Sequence, residues 1–494
     1  MSTRRHRYAV TLLAAWLGGT SLATGVGAAP AGAAPVVRDT RLIEAVKRGD
    51  VAGARQLIAR KVDVNGRQPD GATALHWAAE RDQVELAALL LTSGAQPNLQ
   101  NDYGVTPLML AATNGSDTMI ERLIAGGADP NAALPTGETV LMTAAHTGRV
   151  GAVKALLAHG AAVNARERVK GQTAIMWSIW QGHDEVTRAL VDAGADLKAA
   201  SDSGFTPFLF AVREGNLPMV RLLLEKGVDV NQAGKDGLSA LHVAVVRGHV
   251  GIAKLLLDRG ADANNATPGF APLHWVAGTW ESGHSHDYIF NEVAVNKTQE
   301  WGVLAGIPSQ EEKHDLINAL LAHGARVNAQ MEKAPPRFGF ALFKTDLIRG
   351  ATPFYLAAVT ADIPTMQLLL AKGADPKLHA ANNNTALIMA AGLARVEQET
   401  RVPEEREIEA VEMLLKLGLD INEANEAGNT PLHAATMAGL EHMVAYLAEH
   451  GAAINARNKK GETPLKQARG FEDMFLLYMR PKAAAVLEKL GATE

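Results

Sequence analysis

The chain has 494 residues, of which 20% are charged, 47% apolar and only 5% aromatic, the balance of a folded, water-facing protein built on small aliphatic side chains. Its formal net charge is −5 and it has no cysteine, which excludes disulfides, zinc–thiolate sites, lipoprotein anchoring and cysteine nucleophiles. The first 34 residues hold three of the 48 cations and none of the 53 anions, so the remainder carries −8, which argues against a nucleic acid or an anionic membrane as partner of the whole chain.

Residues 1–34 have the layout of a secretory signal peptide. Arg4, Arg5 and Arg7 precede an uncharged run from Tyr8 to Ala34 that ends in small residues. Cleavage after Ala28, Ala29 or Ala33 suits a small-residue protease site. An exported protein, periplasmic or extracellular, with no stable membrane insertion after cleavage, is the expectation. Residues 35–69 are predicted to be a linker and a capping helix pair. Leu42, Ile43 and Ala45 form one apolar stripe, and Ala52, Ala54, Leu57 and Ile58 form the second.

From about residue 70 a pattern repeats, and it is clearest at 427–459. There Thr430 is a helix N-cap and Pro431 sits where a missing N–H costs nothing. Leu432, Ala434 and Ala435 make the narrow apolar face of a short helix that Gly439 stops. Met443, Val444 and Leu447 face inward on a second helix, ended by Gly451. Neither helix is long enough to persist alone, so each pair needs neighbours.

The N-cap recurs at Thr73, Thr106, Thr139, Thr173, Thr206, Ser239, Ala271, Thr352, Thr385, Thr430 and Thr463. The steps from Thr73 to Ala271 are 33 residues, with one of 34 and one of 32. A tail asparagine recurs at Asn65, Asn98, Asn131, Asn164, Asn231, Asn264, Asn328, Asn422 and Asn455, with Lys198 and Lys377 in the two remaining slots. This period, with its Thr-Pro-Leu-His start, mid-unit glycine and Gly-Ala-Asp-x-Asn close, resembles the ankyrin repeat over roughly residues 40–494. The run from about 70 to 270 is similar to long exported arrays of bacteria. The resemblance implies an all-α solenoid of helix–turn–helix units with short β-hairpin tips. It implies no catalytic activity, and a monomer is expected.

Six regular units are predicted over 70–268. A unit over 269–349 contains a large insertion at about 280–312, followed by a loop at 331–349. Units over 350–459 include a charged insertion near 394–406, whose plainest reading is a solvated helix extension. Residues 460–494 form the C-terminal cap. Insertions of this kind become loops and leave a solenoid core intact.

Chemistry-bearing patterns are few. His76, His242, His274 and His433 follow the repeat and are read as structural. Within the first insertion, Gly283-His284-Ser285-His286-Asp287 breaks the repeat. His284, His286 and Asp287 could ligate a divalent ion, although a polar loop is the simpler reading. No strand–turn–helix context makes Ser285 a nucleophile. No phosphate-binding loop or zinc-protease helix occurs and no paired carboxylates stand out above chance, so neither a catalytic residue nor a cofactor is assigned.

In ankyrin arrays the hairpin tips and the exposed side of the first helix line a concave groove. By register, that groove includes tip positions Tyr103, Val105, Phe205 and Leu238 and helix positions Asn114, Trp180, Arg213, Val246 and Arg247. Tyr103, Asn114, Trp180, Phe205, Arg213 and Arg247 are the candidate contacts for a protein partner, because exposed Tyr, Trp and Arg dominate binding energies. Trp77, Trp177 and Trp275 share one register and are expected in the core.

Overall fold

The computed structural model describes residues 39–278, 309–334, 345–393, 402–470 and 480–494. Leu42, Ile43, Ala45 and Val46 bury one face of the first helix, Arg41–Lys47, and Val51–Ala59 returns antiparallel to it. Every later unit repeats this pair. Inner helices such as Ala74–Glu80, Pro107–Asn114, Val140–Thr147 and Ala174–Gln181 alternate with outer helices such as Val84–Thr92, Asp117–Ala125, Val150–Ala158 and Asp184–Asp192. Inner packs on inner and outer on outer, one unit after the next. The core is therefore a continuous double layer of Ala, Leu, Val, Ile and Met running the length of the array. No strand forms among the described residues. Isolated antiparallel bridges at Arg67–Thr73, Ala133–Thr139 and Ala233–Ser239 mark the hairpin tips.

The caps explain where helices start. Thr106, Thr139, Thr206, Thr352, Thr385 and Thr463 each accept the amide three residues on. Thr430 differs from expectation. Its hydroxyl lies 2.9 Å from His433 Nδ1, and it is the ring that serves the first turn, accepting the Thr430 backbone N–H at 3.2 Å. Thr73 and His76 do the same. Gly439, at φ 75°, ends its helix in the left-handed region.

Two side-chain clamps join successive units. In the first, an Nδ1 that already accepts a backbone N–H leaves the proton on Nε2, which donates to the next unit: His76 to Val105 O at 3.0 Å, His242 to Phe270 O at 3.0 Å, His433 to Glu462 O at 3.2 Å. In the second, the tail asparagine donates to one backbone carbonyl of the next tail and accepts one amide. Asn98 does this with Gly127 O at 2.8 Å and Asp129 N at 2.7 Å.

Both clamps cross the large insertion. His274 reaches Ala329 O at 2.8 Å, while Asn264 reaches Gly324 O at 2.7 Å and Arg326 N at 2.8 Å. The stacking of units is thus kept although some 60 residues separate the partners. Asn264→Ala removes both tail bonds and is expected to cost about 1–2 kcal/mol, read as a lower urea midpoint. An unchanged midpoint would show that the apolar layers alone hold this junction.

The insertions also lengthen helices. The outer helices Gln310–Ala322 and Glu404–Lys416 have 13 residues, where Val150–Ala158 has 9. Each extra N-terminal turn reaches the next unit. Gln310 Nε2 lies 2.9 Å from Asp362 Oδ1 and 3.0 Å from Thr365 Oγ1, at the start of Ile363–Ala371. Glu404 Oε1 accepts Met443 N at 2.8 Å, in the first turn of Glu441–Glu449, whose own N-cap Leu440 has no side-chain acceptor. The same carboxylate pairs with His442 at 3.0 Å and raises its pKa. The part of the charged insertion that is described, from Val402 onward, is thus a helix extension with a capping role.

Candidate interaction face

The tips are stitched to one another by backbone bonds. Asp102 N donates to Asp70 O at 2.9 Å, Arg168 N to Thr136 O at 2.7 Å and Asp202 N to Lys170 O at 2.8 Å. Pro135 has no N–H to contribute at its own tip. The result is a row of tips beside the row of inner-helix ends, and side chains from both rows reach solvent on it.

Among the described residues, the large apolar side chains left exposed on these rows are Tyr103 at 45%, Val169 at 67%, Trp180 at 49% and, at the same helix position as Trp180 in the Thr430 unit, Met437 at 44%. Trp180 lies in the last turn of the inner helix Ala174–Gln181, with His146 of the preceding unit beside it, ring centroids 6.1 Å apart. The same His146 meets Trp177 edge-on at 5.4 Å and approaches Gln181 at 2.8 Å. Burial, then the nearby His183, lower the pKa of His146 and keep the imidazole neutral. His183 Nε2 lies 3.0 Å from the His146 carbonyl oxygen, so two units contribute to the platform under Trp180.

Other candidates are placed differently. Phe205 is 2% exposed and lies in the core, edge-on to Phe210 at 5.9 Å. Its apolar ring gains more by turning under the tip than by staying in water. Arg213 is 8% exposed, with its guanidinium 4.5 Å from the Phe210 ring centroid and its Nε 2.9 Å from Glu214 Oε1. Cation–π stacking and the ion pair draw it into the interface between units. Leu238 and Val246 are buried as well. Arg247 is half-buried and its Nε lies 3.4 Å from Arg213 O. Asn114 is exposed, yet its amide is tied to Ala79 O at 3.1 Å and Glu80 O at 2.5 Å. Trp77 and Trp275 are buried as the register suggests, whereas Trp177 is only partly so.

Val169 was not singled out by sequence reasoning. Its signal was a lone aliphatic at a turn between Arg168 and Lys170. Glu167 beside it is buried because its carboxylate accepts the amides of Val169, Lys170 and Gln172 at 2.5–3.0 Å. That arrangement tightens the turn and pushes Val169 outward.

His284, His286 and Asp287 lie outside the described residues. Among those described, no group of three His, Asp or Glu side chains converges on a point where a metal could bind. No described helix is long and apolar enough to cross a membrane.

A two-layer stack clamped by a capping histidine and a tail asparagine has a counterpart among known families. The sequence model described as "Ankyrin repeats (3 copies)" matches residues 42–133, 108–201, 194–267 and 402–480, more than half of the chain. The chain belongs to the ankyrin-repeat family. Similar stretches occur in a potassium channel AKT1 of Oryza sativa subsp. indica, 38% identical over 83 residues, 16% of this chain and 9% of that protein. A putative palmitoyltransferase ZDHHC13 of Danio rerio is 30% identical over 131 residues, 26% of this chain and 19% of its own. The protein phosphatase 1 regulatory subunit 27 of Homo sapiens is 42% identical over 57 residues, 12% of this chain and 37% of its own. This ankyrin-repeat chain therefore spans well under half of each relative. What they share with it is repeat sequence, and a channel, a putative transferase and a regulatory subunit have no common activity to pass on. Ankyrin repeats are in general modules for protein–protein interaction.

Proposed function

We propose that this protein is an exported, non-enzymatic ankyrin-repeat scaffold that binds a protein partner across the row of tips and inner-helix ends, with Trp180 at the centre of the contact. The observation that supports this is the exposure of Trp180, in a helix whose Ala174, Ile175, Met176, Ser178 and Ile179 are all buried. Leaving half an indole in water is costly, and a partner that covers it gains that area back. His146 holds the ring from behind, so little side-chain freedom is lost on binding. Val169 stands on the tip that leads into this helix and Tyr103 on the tip two units earlier, and both extend the apolar contact along the row. The basic, then uncharged, then small-residue order of residues 1–34 supports export.

Crosslinking in intact cells, followed by mass spectrometry, tests the reading. A partner should be recovered by the natural chain, and Trp180→Ala should weaken its binding by on the order of 2 kcal/mol, roughly thirtyfold in Kd. A partner held with equal affinity by Trp180→Ala and Tyr103→Ala would remove this face from consideration. N-terminal sequencing of the native protein should start after Ala28, Ala29 or Ala33. A chain starting at Met1 would overturn export by cleavage.

A further inference from the structure

Each unit carries up to two clamps to the next, the histidine three residues after its N-cap and the tail asparagine. Units without the histidine generally keep the asparagine. Met109 is followed by Asn131, Met142 by Asn164 and Leu209 by Asn231, and Asn131, Asn164 and Asn231 all bond to the tail that follows. Two units lack both clamps. One pairs Met176 with Lys198, and the other pairs Tyr355 with Lys377. A lysine ammonium has no acceptor, so it cannot receive the amide that asparagine receives.

The two unclamped junctions are not equivalent. After Lys198 the chain resumes with the full helices Pro207–Arg213 and Leu217–Glu225, and Asn216 Nδ2 reaches back to Asp184 Oδ1 at 2.6 Å. After Lys377 the inner helix keeps only Ala386–Ile388 in α form. It then loosens into a π turn, Met389–Leu393, with Gly392 at φ 114°. That glycine is required, because a Cβ there would stand 2.8 Å from Ala438 Cβ. Tyr355 occupies the histidine position, and its buried hydroxyl has no hydrogen-bond partner. The tips on either side are joined by the bond from Ala381 N to Arg349 O at 2.6 Å, and beside it a cleft of about 460 Å³ opens, lined by Met331, Arg349, Gly350, His379, Ala380 and Ala381, among others.

We infer that the array has a built-in seam between the Thr352 and Thr385 units, where the C-terminal units from Thr385 onward open away from the rest as one body. The missing clamps, the orphaned hydroxyl and the cleft all fall at this one junction, where the tails meet through His379 Nε2 and Glu423 Oε1 at 3.2 Å. Each of the three lowers the free energy that holds the two sides together, and local opening follows the weakest interface of a stacked array. The π turn, whose Gly392 packs on Ala438 of the following unit, belongs to the body that opens. The seam lies beyond the Trp180 platform, so it does not depend on what that face binds.

Native-state hydrogen exchange on the full chain tests the seam. Amides of residues 386–393 should exchange at least tenfold faster than those of Val140–Thr147, an inner helix with regular neighbours. Lys377→Asn restores one clamp, and Tyr355→His/Lys377→Asn restores both. Each should slow exchange at 386–393 at least tenfold while leaving Val140–Thr147 unchanged. Lys377 is exposed, so the single variant decides the question if the double variant fails to fold. Lys198→Asn, the control, should leave 386–393 untouched. Equal protection at 386–393 and Val140–Thr147 in the natural chain, or no slowing in Lys377→Asn, overturns the seam.

Discussion

Lowering the pH from 7 to 5 is expected to destabilise the array by roughly 4 kcal/mol through His76 and His242 alone, about 2 kcal/mol from each. Burial, only partly offset by hydrogen bonds to Val105 and Phe270 respectively, pushes both imidazoles down to about 4 from the ordinary 6.5. The folded chain keeps these rings neutral while the unfolded chain protonates them. Their contribution is therefore fully present above 6.5 and is lost as the pH falls towards 4. Burial first, against bonds to neighbouring carbonyls, shifts His274 and His433 the same way and adds to the loss. Urea unfolding at each half unit of pH would show the slope. His76→Met/His242→Met uses the residue already present at the same place in the Thr106, Thr139 and Thr173 units. It should flatten the profile between pH 7 and 5, and a profile as steep as before would place the titration elsewhere.

Breaking the buried pair of Lys313 and Asp362 should cost about 3–5 kcal/mol, the largest expected effect of any single substitution considered. Lys313 Nζ is 2.7 Å from Asp362 Oδ2, and both side chains are about 10% exposed. The ammonium also lies 3.5 Å from the carbonyl oxygens of Ala277 and Gly278, the last described residues before the large insertion. One lysine thus ties the two ends of that insertion to each other and to the next unit. For Asp362, desolvation works to raise the pKa, but Lys313 and the hydroxyl and amide of Thr365 prevail, and the net shift is downward. Lys313→Ala leaves this carboxylate buried without its counter-charge. Lys313→Met/Asp362→Asn should recover most of the loss, since asparagine can still accept the Thr365 amide that Asp362 accepts at 3.2 Å. A Lys313→Ala chain with the unfolding midpoint of the natural one would show that water already screens the pair.

The solenoid was legible because its determinants are local and repeated. A threonine before a short apolar helix, a glycine after it and an asparagine in the tail each act within a few residues, and the period shows which neighbours they meet. The insertions were legible as departures from that period. Phe205, Arg213 and Trp180 were read alike from register, as groove positions. Only the stacked structure separates them, because Phe210 draws Phe205 and Arg213 under the tip, whereas His146 props Trp180 outward. The joining of Lys313 to Asp362, 49 residues apart, and of Glu404 to Met443, 39 residues apart, left no periodic trace.

The sequence by itself determined the fold family and the repeated helix–turn–helix unit from which the array is built. Those features rest on backbone preferences and on contacts at one constant spacing. The tertiary structure alone decided which groove positions face water, which charges are buried in pairs and where two units meet without clamps. These depend on side chains that the chain brings together at irregular separations, where burial, ion pairing and the available space settle each outcome.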